Sequence, residues 1–277
     1  MTLIDTHTHV IAGDETRYPL RPSGVGSDWY REAPCTVEEL AALTAGAGVD
    51  AAVLVQAFGP YADDNSYVVD AAAAYPGRFV SVVVVDAEHP DAPARLRALA
   101  DEPGVTGVRL FCIGPLDRPQ PTWLDDPATF GVWESCAALE LRVVVACLPE
   151  HLARLRRMVA RFPDQAVVLD HCGFVDFGEQ PDDLYALAAF PNLYCKVTSH
   201  VLEAADAAGR AAEVVGRLVA EFGAPRLVWG SDFPQTHDRP YRELVALARR
   251  ACAELSDDDR AQLLGGTARA LWPQLGA

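Results

Sequence analysis

Eight short apolar runs, most of them rich in valine and leucine, recur along the chain, and helical patterns fill most of the intervals between them. Strands that alternate with helices predict βα units and a parallel sheet, because parallel neighbours need a long crossover connection. Eight such units in 277 residues predict an α/β protein with a single (β/α)₈ TIM barrel, one domain over residues 1–277. The predicted strands are 3–10, 51–56, 78–86, 105–111, 142–149, 166–172, 192–198 and 226–232.

The intervals between the strands contain a long loop and several capped helices. Residues 13–34, after the first strand, are rich in proline, glycine and aromatic residues and predict a long loop over a functional site. Thr36 and Glu39 form a capping-box pattern that predicts a helix ending near Gly46 and Gly48. Further predicted helices are 65–74, 92–100, 127–139, one around Arg154–Arg161, 207–222, 241–253 and one opened by Ser256.

Charge and composition exclude several classes of partner. The formal net charge of −16 argues against binding to nucleic acid or to an anionic membrane, since both would repel the protein. No apolar run is long enough for a membrane span, and no signal-peptide pattern precedes the first strand. The seven cysteines include no CxxC pair, which indicates reduced, buried thiols. We therefore expect a cytoplasmic protein, and a homo-oligomer is compatible with the sequence.

The first predicted strand carries two histidines, His7 and His9. Side chains in a strand alternate between its two faces, so both imidazoles are expected on the same face. A His-x-His pair taken alone is equally compatible with local structural hydrogen bonds. Its function therefore depends on which polar residues the other strands bring to the same end of the barrel.

Most of the predicted strands end in polar residues. The carboxyl ends of the strands form the active site of such barrels, so these side chains are expected to converge. Lys196, the sole lysine, lies in an apolar strand, which predicts a role in a pocket rather than on the surface. Asp170 is expected to be structural because it alternates to the face opposite His171. The strand-end candidates are His7, His9, Gln56, Asp86, Arg109, His171, Lys196, Thr198, His200 and Asp232.

The ordered set of strand-end motifs resembles the amidohydrolase superfamily. Within it, the chain is most similar to the branch of 2-pyrone-4,6-dicarboxylate lactonase and the sugar-lactone hydrolases, and the resemblance covers nearly the whole chain. The matching segments are Asp5-Thr6-His7-Thr8-His9, Tyr18-Pro19-Leu20, Val53-Leu54-Val55-Gln56, Pro76-Gly77-Arg78-Phe79, Gly107-Val108-Arg109-Leu110-Phe111, Asp170-His171-Cys172-Gly173, Cys195-Lys196-Val197-Thr198 and Gly230-Ser231-Asp232-Phe233-Pro234.

The resemblance also bears on metal binding. Most members of the superfamily bind divalent ions through ligands that include a histidine or carboxylated lysine on strand five, whereas strand five here has no histidine. This departure favours metal-independent catalysis, as in part of the lactonase branch. The alternative is one divalent metal, zinc by its donor set, held by His7, His9 and Asp232 with His171 or Cys147 as an additional ligand.

The resemblance implies a hydrolase that opens a small carboxylated or sugar-derived lactone, a polar or anionic substrate. Asp232 would activate water as general base, and His7, His9 and His171 would polarise the carbonyl group. Arg109 and Lys196 would bind a substrate carboxylate or the developing oxyanion. Further candidates for substrate binding are Tyr18, Arg17, Arg21, Gln56 and His200.

Two other functions remain open at this point. A metal-dependent decarboxylase of the same superfamily would use the same histidine pair and strand-eight aspartate, and would release carbon dioxide. A non-catalytic barrel that binds small molecules would bind lactones without turning them over. Fold alone does not separate these functions, so the geometry of the site has to be considered.

Overall fold

The computed structural model describes residues 2–179 and 181–276. Its eight strands are all parallel to their neighbours and pair in chain order, with a helical segment after each strand. The predicted (β/α)₈ barrel and all eight predicted strands are confirmed. The strands are β1 Ile4–Thr8, β2 Ala51–Val55, β3 Phe79–Val84, β4 Val105–Cys112, β5 Arg142–Cys147, β6 Val167–Leu169, β7 Leu193–Thr198 and β8 Leu227–Gly230.

The barrel closes through contacts between β1 and the segment that follows β8. The backbone N–H of His9 donates to the Phe233 carbonyl over 2.8 Å, and the N–H of Asp232 donates to the His7 carbonyl over 2.8 Å. The hydroxyl of Thr6 also donates to the carbonyl of Trp229. These bonds bring the two site-bearing ends of the chain side by side.

The helices lie around the sheet, and side-chain caps at Thr36 and Ser256 begin two of them. Thr36 and Glu39 form the predicted capping box, and the helix ends at Gly48, whose φ of 71° only glycine adopts readily. The α-helices are α1 Trp29–Glu32, α2 Val37–Ala47, α3 Phe58–Tyr61, α4 Ser66–Ala73, α5 Ala92–Ala100, α6 Phe130–Ala138, α7 Leu152–Arg161, α8 Asp182–Tyr185, α9 Ser199–Ala207, α10 Ala211–Phe222, α11 Tyr241–Ala251, α12 Asp257–Ala261 and α13 Thr267–Leu271.

Two predicted elements differ from the structure. The helix expected near 207–222 is α10, which begins only at Ala211, and a separate helix, α9 at Ser199–Ala207, precedes it across Gly209, whose φ is 68°. The strand expected over 166–172 ends at Leu169. The next residues form a tight turn in which His171, Cys172 and Gly173 all have positive φ. An apolar run that continues into such a turn cannot be distinguished from a strand by its sequence pattern.

The core has two layers that follow the alternation of the strands. Val53, Val55, Val144 and Val168 lie in the cluster enclosed by the barrel, together with Trp272. The alternate strand side chains pack against the helices in a second, larger cluster. Apolar side chains therefore fill the middle of the barrel and leave polar residues at the carboxyl ends of the strands. In the described part of the chain no α-helix has the length and hydropathy needed to cross a bilayer.

Candidate active site

The two histidines of β1 face Asp232 across the mouth of the barrel. Nε2 of His7 lies 3.5 Å from Oδ1 of Asp232, and Nε2 of His9 lies 3.4 Å from the same oxygen. The ring of His171 is 4.7 Å from that of His7, centroid to centroid. All four side chains are buried. The structure thus brings together the four residues that the sequence predicts as catalytic.

An irregularity in β1 turns His7 into the barrel. The register of β1 against β2 shifts between Asp5 and Thr8, which interrupts the alternation of side chains. The carboxylate of Asp5 points outward and accepts hydrogen bonds from the hydroxyl of Tyr241 on α11 and from the N–H of Ser231. His7, two residues further on, points inward instead. Burial raises the pKa of the Asp5 carboxyl to about 6.

Gly230 on β8 provides the space in which His7 lies. A Cβ atom at position 230 would be 2.6 Å from the His7 Cβ and 3.0 Å from its backbone nitrogen. Contacts this short require a backbone shift. The glycine therefore determines how closely β1 and β8 approach each other at the site.

We expect Gly230→Ala to lower the free energy of unfolding by about 1–3 kcal/mol, because the added methyl group overpacks the β1–β8 contact. It should also reduce turnover at least about tenfold, since His7 moves from its position. The matched control is Gly216→Ala on α10, where a Cβ meets nothing within 4 Å. Alanine there should raise stability by about 0.5–1 kcal/mol. Urea unfolding and steady-state kinetics measure both effects, and equal behaviour of the two variants would contradict this account of Gly230.

Asp170 lies at the centre of a buried charge cluster and on the same side of the barrel as His171, not on the opposite face expected from alternation. Its carboxylate accepts a hydrogen bond from Nε of Arg109 over 2.8 Å and lies 3.0 Å from Nζ of Lys196. Nδ1 of His7 is 3.2 Å away. The alternation argument fails because the strand ends at Leu169. Asp170 faces inward like Val168, and the left-handed turn brings the next residue, His171, to the site as well.

Burial and neighbouring charges determine the protonation states at the site. Burial alone raises the pKa of the Asp170 carboxyl, but the charges of Lys196 and Arg109 outweigh it and hold the pKa well below its usual range. The pKa of Asp232 is also lowered, because its imidazole neighbours outweigh the effect of burial. Burial lowers the pKa of His171 to about 4. At neutral pH the site therefore has two carboxylates and a neutral His171.

A cavity of about 670 Å³ borders the site at Arg109 and His171. Arg109, His171 and His200 line it, and the Phe58 and Phe111 rings stack on each other in its wall, 4.3 Å apart. Arg109 is the one lysine or arginine among the lining residues of the described chain. The cavity offers one guanidinium group beside apolar walls, which suits a small molecule with a polar or anionic group.

The structure does not bring the other predicted substrate-binding residues to this cavity. Lys196 is fully buried beneath it, where it contacts His7 and Asp170 rather than the cavity space. Arg17 and Tyr18 both bond to the carboxylate of Asp70 and line a separate groove. The Arg17 side chain is 66% exposed to solvent. The last two predicted residues contact loop residues instead. Arg21 forms an ion pair with Asp64, and the amide of Gln56 donates to the carbonyls of Ala62 and Asp64.

Four buried polar atoms at the site have no hydrogen-bond partner among the described residues: Nε2 of His7, Nε2 of His9, Oδ1 of Asp170 and Oδ1 of Asp232. Nδ1 of His9 bonds to the Val55 carbonyl over 2.8 Å, and a carbonyl only accepts. A neutral imidazole in this position carries its proton on Nδ1, and its Nε2 then presents a lone pair to the carboxylate oxygen. Two acceptors at 3.4 Å repel each other unless a proton donor or a cation lies between them.

The donor set fits one divalent metal ion. Two ligands at 2.0–2.1 Å on a tetrahedral zinc are about 3.4 Å apart, and the two imidazole–carboxylate distances match this value. His7, His9 and Asp232 form one potential ligand group, and His7, Asp170 and His171 form another. Cys147 joins neither group among the described residues, and burial raises the pKa of its thiol. The structure therefore does not support Cys147 as an additional ligand.

The profile of a family described as amidohydrolase matches residues 4–274. The chain is 31% identical to an L-fucono-1,5-lactonase from Burkholderia ambifaria, in an alignment that covers 83% of this chain and 82% of the relative. Both findings agree with the resemblance seen in the sequence motifs.

Solved structures with the same fold include enzymes of different chemistry. An amidohydrolase from Burkholderia multivorans with bound zinc superposes with a TM-score of 0.80 at 25% identity, covering 99% of this chain and all of that one. A 2,6-dihydroxybenzoate decarboxylase from Rhizobium has a TM-score of 0.73 at 14% identity, with 99% of each chain covered. The decarboxylase shares the fold, and at this identity the likeness carries no further inference about chemistry.

Proposed function

The chain belongs to the amidohydrolase family, and from this membership we propose that it is a lactonase, a hydrolase that opens a small lactone to a hydroxy acid. The observation that carries the proposal is the convergence of His7, His9 and Asp232 beside His171, which lines a cavity together with Arg109. The lactonase relative from Burkholderia ambifaria supports the choice of a lactone over an amide.

In the proposed reaction, a water molecule donates hydrogen bonds to two neighbouring acceptors, Nε2 of His9 and Oδ1 of Asp232. Asp232 accepts a proton from this water, and the oxygen of the water bonds to the carbonyl carbon of the lactone. The ring C–O bond then breaks, the proton passes to the departing ring oxygen, and the product is a hydroxy acid. We assign to the guanidinium of Arg109, which lines the cavity, the stabilisation of negative charge on the substrate.

We propose that the side chains suffice for this reaction without a resident metal. The same residues could nevertheless hold one divalent ion, through His7, His9 and Asp232. A metal bound there would polarise the carbonyl group and lower the pKa of water. Elemental analysis of protein purified without added metal or chelator tests the point. We expect well under one zinc per chain and unchanged turnover after dialysis against a chelator, whereas stoichiometric zinc that turnover requires would contradict metal independence.

A substrate panel tests the reaction itself. It consists of L-fucono-1,5-lactone, other aldonolactones, simple alkyl lactones, lactones bearing a carboxylate, and aromatic carboxylic acids. Proton release measured against an enzyme-free blank reports hydrolysis, and released carbon dioxide reports decarboxylation with added divalent metal. We expect hydrolysis of at least one lactone. Decarboxylation alone, or binding without turnover, would contradict the proposal and favour one of the two other functions.

A further inference from the structure

We propose that the cavity beside the site selects lactones whose ring carries an apolar substituent about the size of a phenyl group, in preference to polyhydroxylated sugar lactones. This substrate class rests on the proposed lactonase function. Its test includes binding of a compound that cannot be hydrolysed, so that a wrong substrate class can be distinguished from a wrong function.

The polar side chains in the cavity wall differ in burial. Within residues 2–179 and 181–276, Arg109 and His171 are the two polar lining residues that are buried. The other polar lining residues are exposed to solvent: Ser27, Asp117, His200 and Gln235. A sugar lactone inside the cavity would therefore have few buried partners for its hydroxyl groups. A hydroxyl group that loses water without gaining a partner costs free energy, which disfavours such a substrate.

Aromatic rings form a continuous surface beside Arg109. Arg109 and Phe111 are two residues apart on β4, so their side chains project from the same face of the strand. The guanidinium carbon of Arg109 lies 4.9 Å from the centre of the Phe111 ring. The Phe58 ring stacks on that of Phe111 at an interplanar angle of 20°. A substituent that extends from a lactone held at Arg109 therefore meets a flat apolar surface.

Two further rings connect this surface to the catalytic residues. Trp29 is buried, lines the cavity and lies 5.6 Å from the ring of His9, centroid to centroid. Phe174 also lines the cavity, and its ring is 4.6 Å from that of His171. The apolar wall thus extends to the residues that would hold the lactone carbonyl. The lactone ring and its substituent can occupy one continuous space.

The size of the cavity agrees with a substituted ring. Its volume of about 670 Å³ lies within the range of about 300–1,000 Å³ that is typical of pockets for drug-sized ligands. An unsubstituted lactone ring would leave much of this space to water. A phenyl group would displace that water from the aromatic surface, which is favourable for apolar groups.

Leu116 extends the apolar surface outward. It lines the cavity, yet it is 81% exposed to solvent. An apolar substituent in contact with Leu116 would remove apolar surface from water on both sides of the contact, which favours binding. A hydroxyl group at the same place would gain no partner from the leucine side chain.

Steady-state kinetics test the substrate class with three six-membered lactones: δ-valerolactone, δ-phenyl-δ-valerolactone and L-fucono-1,5-lactone. Each kcat/KM is divided by the rate constant of uncatalysed hydrolysis, which corrects for the reactivity of the ring. We expect the phenyl lactone to exceed both comparators by at least about tenfold, since apolar pockets discriminate even single methylene groups by such factors. A smaller advantage over either comparator would overturn the proposal.

Binding is measured by titration calorimetry with 3-phenylcyclohexanone and cyclohexanone, ring ketones that cannot be hydrolysed. We expect the phenyl ketone to bind at least about tenfold more tightly, because its ring is buried against the aromatic wall. Such binding without turnover of any lactone would support the apolar site and contradict the lactonase function. Lactone hydrolysis without the binding preference would overturn the proposal and leave the function standing.

Two variants test whether the preference arises in this cavity. Leu116→Ser and Phe58→Ala should each lower the ratio of the two dissociation constants by about threefold or more. The matched control is Leu43→Ser on α2, because Leu43 is also exposed, at 39%, and lies outside the cavity. The ratio in the control should stay within about twofold of wild type.

Wild-type ratios in both Leu116→Ser and Phe58→Ala would overturn the proposal. Phe58 is partly buried, so its truncation could affect folding. Leu116 is largely exposed, and serine at this position removes little packing from the protein. Leu116→Ser therefore decides the question alone if Phe58→Ala does not fold.

Discussion

Asp232→Asn should reduce kcat by about 10²–10⁴-fold, the contribution typical of a general base. Asparagine is close to aspartate in shape, so substrate binding and the fold should change little. The amide cannot take a proton from water, and it replaces the carboxylate oxygen that His7 and His9 both face. Steady-state kinetics with the best lactone of the panel, together with thermal unfolding, measure this effect.

Asp86→Asn is the matched control for this variant. Asp86 also follows a strand, β3, but it is exposed and lies outside the central cavity. Turnover of the control should stay within about twofold of wild type, as expected for a surface substitution without a role in the site. Near-native kcat in Asp232→Asn would show that another group activates the water.

Asp170→Asn should lower the free energy of unfolding by about 3–5 kcal/mol. The substitution keeps the shape of the side chain and removes the one charge that Lys196 and Arg109 share. Both cations would then be buried beside a neutral amide, and Arg109 would lose its charge-assisted bond of 2.8 Å. Urea unfolding with a fitted slope measures the change.

An exposed ion pair provides the comparison for Asp170. Asp70 bonds to Arg17, and both side chains are largely exposed to solvent. Asp70→Asn should therefore cost at most about 1 kcal/mol, because solvent screens such pairs. A similar small loss in Asp170→Asn would mean that the buried cluster contributes little to folding. The two variants thus separate a buried charge network from a surface contact.

The barrel could be predicted because the pattern of an apolar strand followed by a helix recurs along the chain for eight strands. Each βα unit gives only a weak pattern, but the alternation of apolar runs and helices admits few other topologies. The strand ends were located well enough to bring His7, His9 and Asp232 together. Boundaries were less accurate, as in the predicted strand 166–172, because the positive φ angles of His171 and Cys172 leave no trace in their residue types.

The environment of each site residue was harder to predict than its location. Lys196 was expected in a pocket, but it is buried beneath the cavity. Its partners Asp170 and His7 come from other parts of the chain, and the sequence does not specify which groups pair. Arg17 and Tyr18 lie on the loop over the barrel, as expected, yet their bonds to Asp70 hold them at a separate groove. Pairings between residues so far apart in the chain depend on packing, which local patterns do not contain.

The most direct test of the proposed function is the rate of lactone ring opening by the purified wild-type protein and by Asp232→Asn, measured side by side by proton release. The account predicts hydrolysis above the enzyme-free blank for at least one lactone, retained after chelation, and its loss by about two orders of magnitude or more in the variant. No hydrolysis of any lactone in the panel by folded wild-type protein would contradict it.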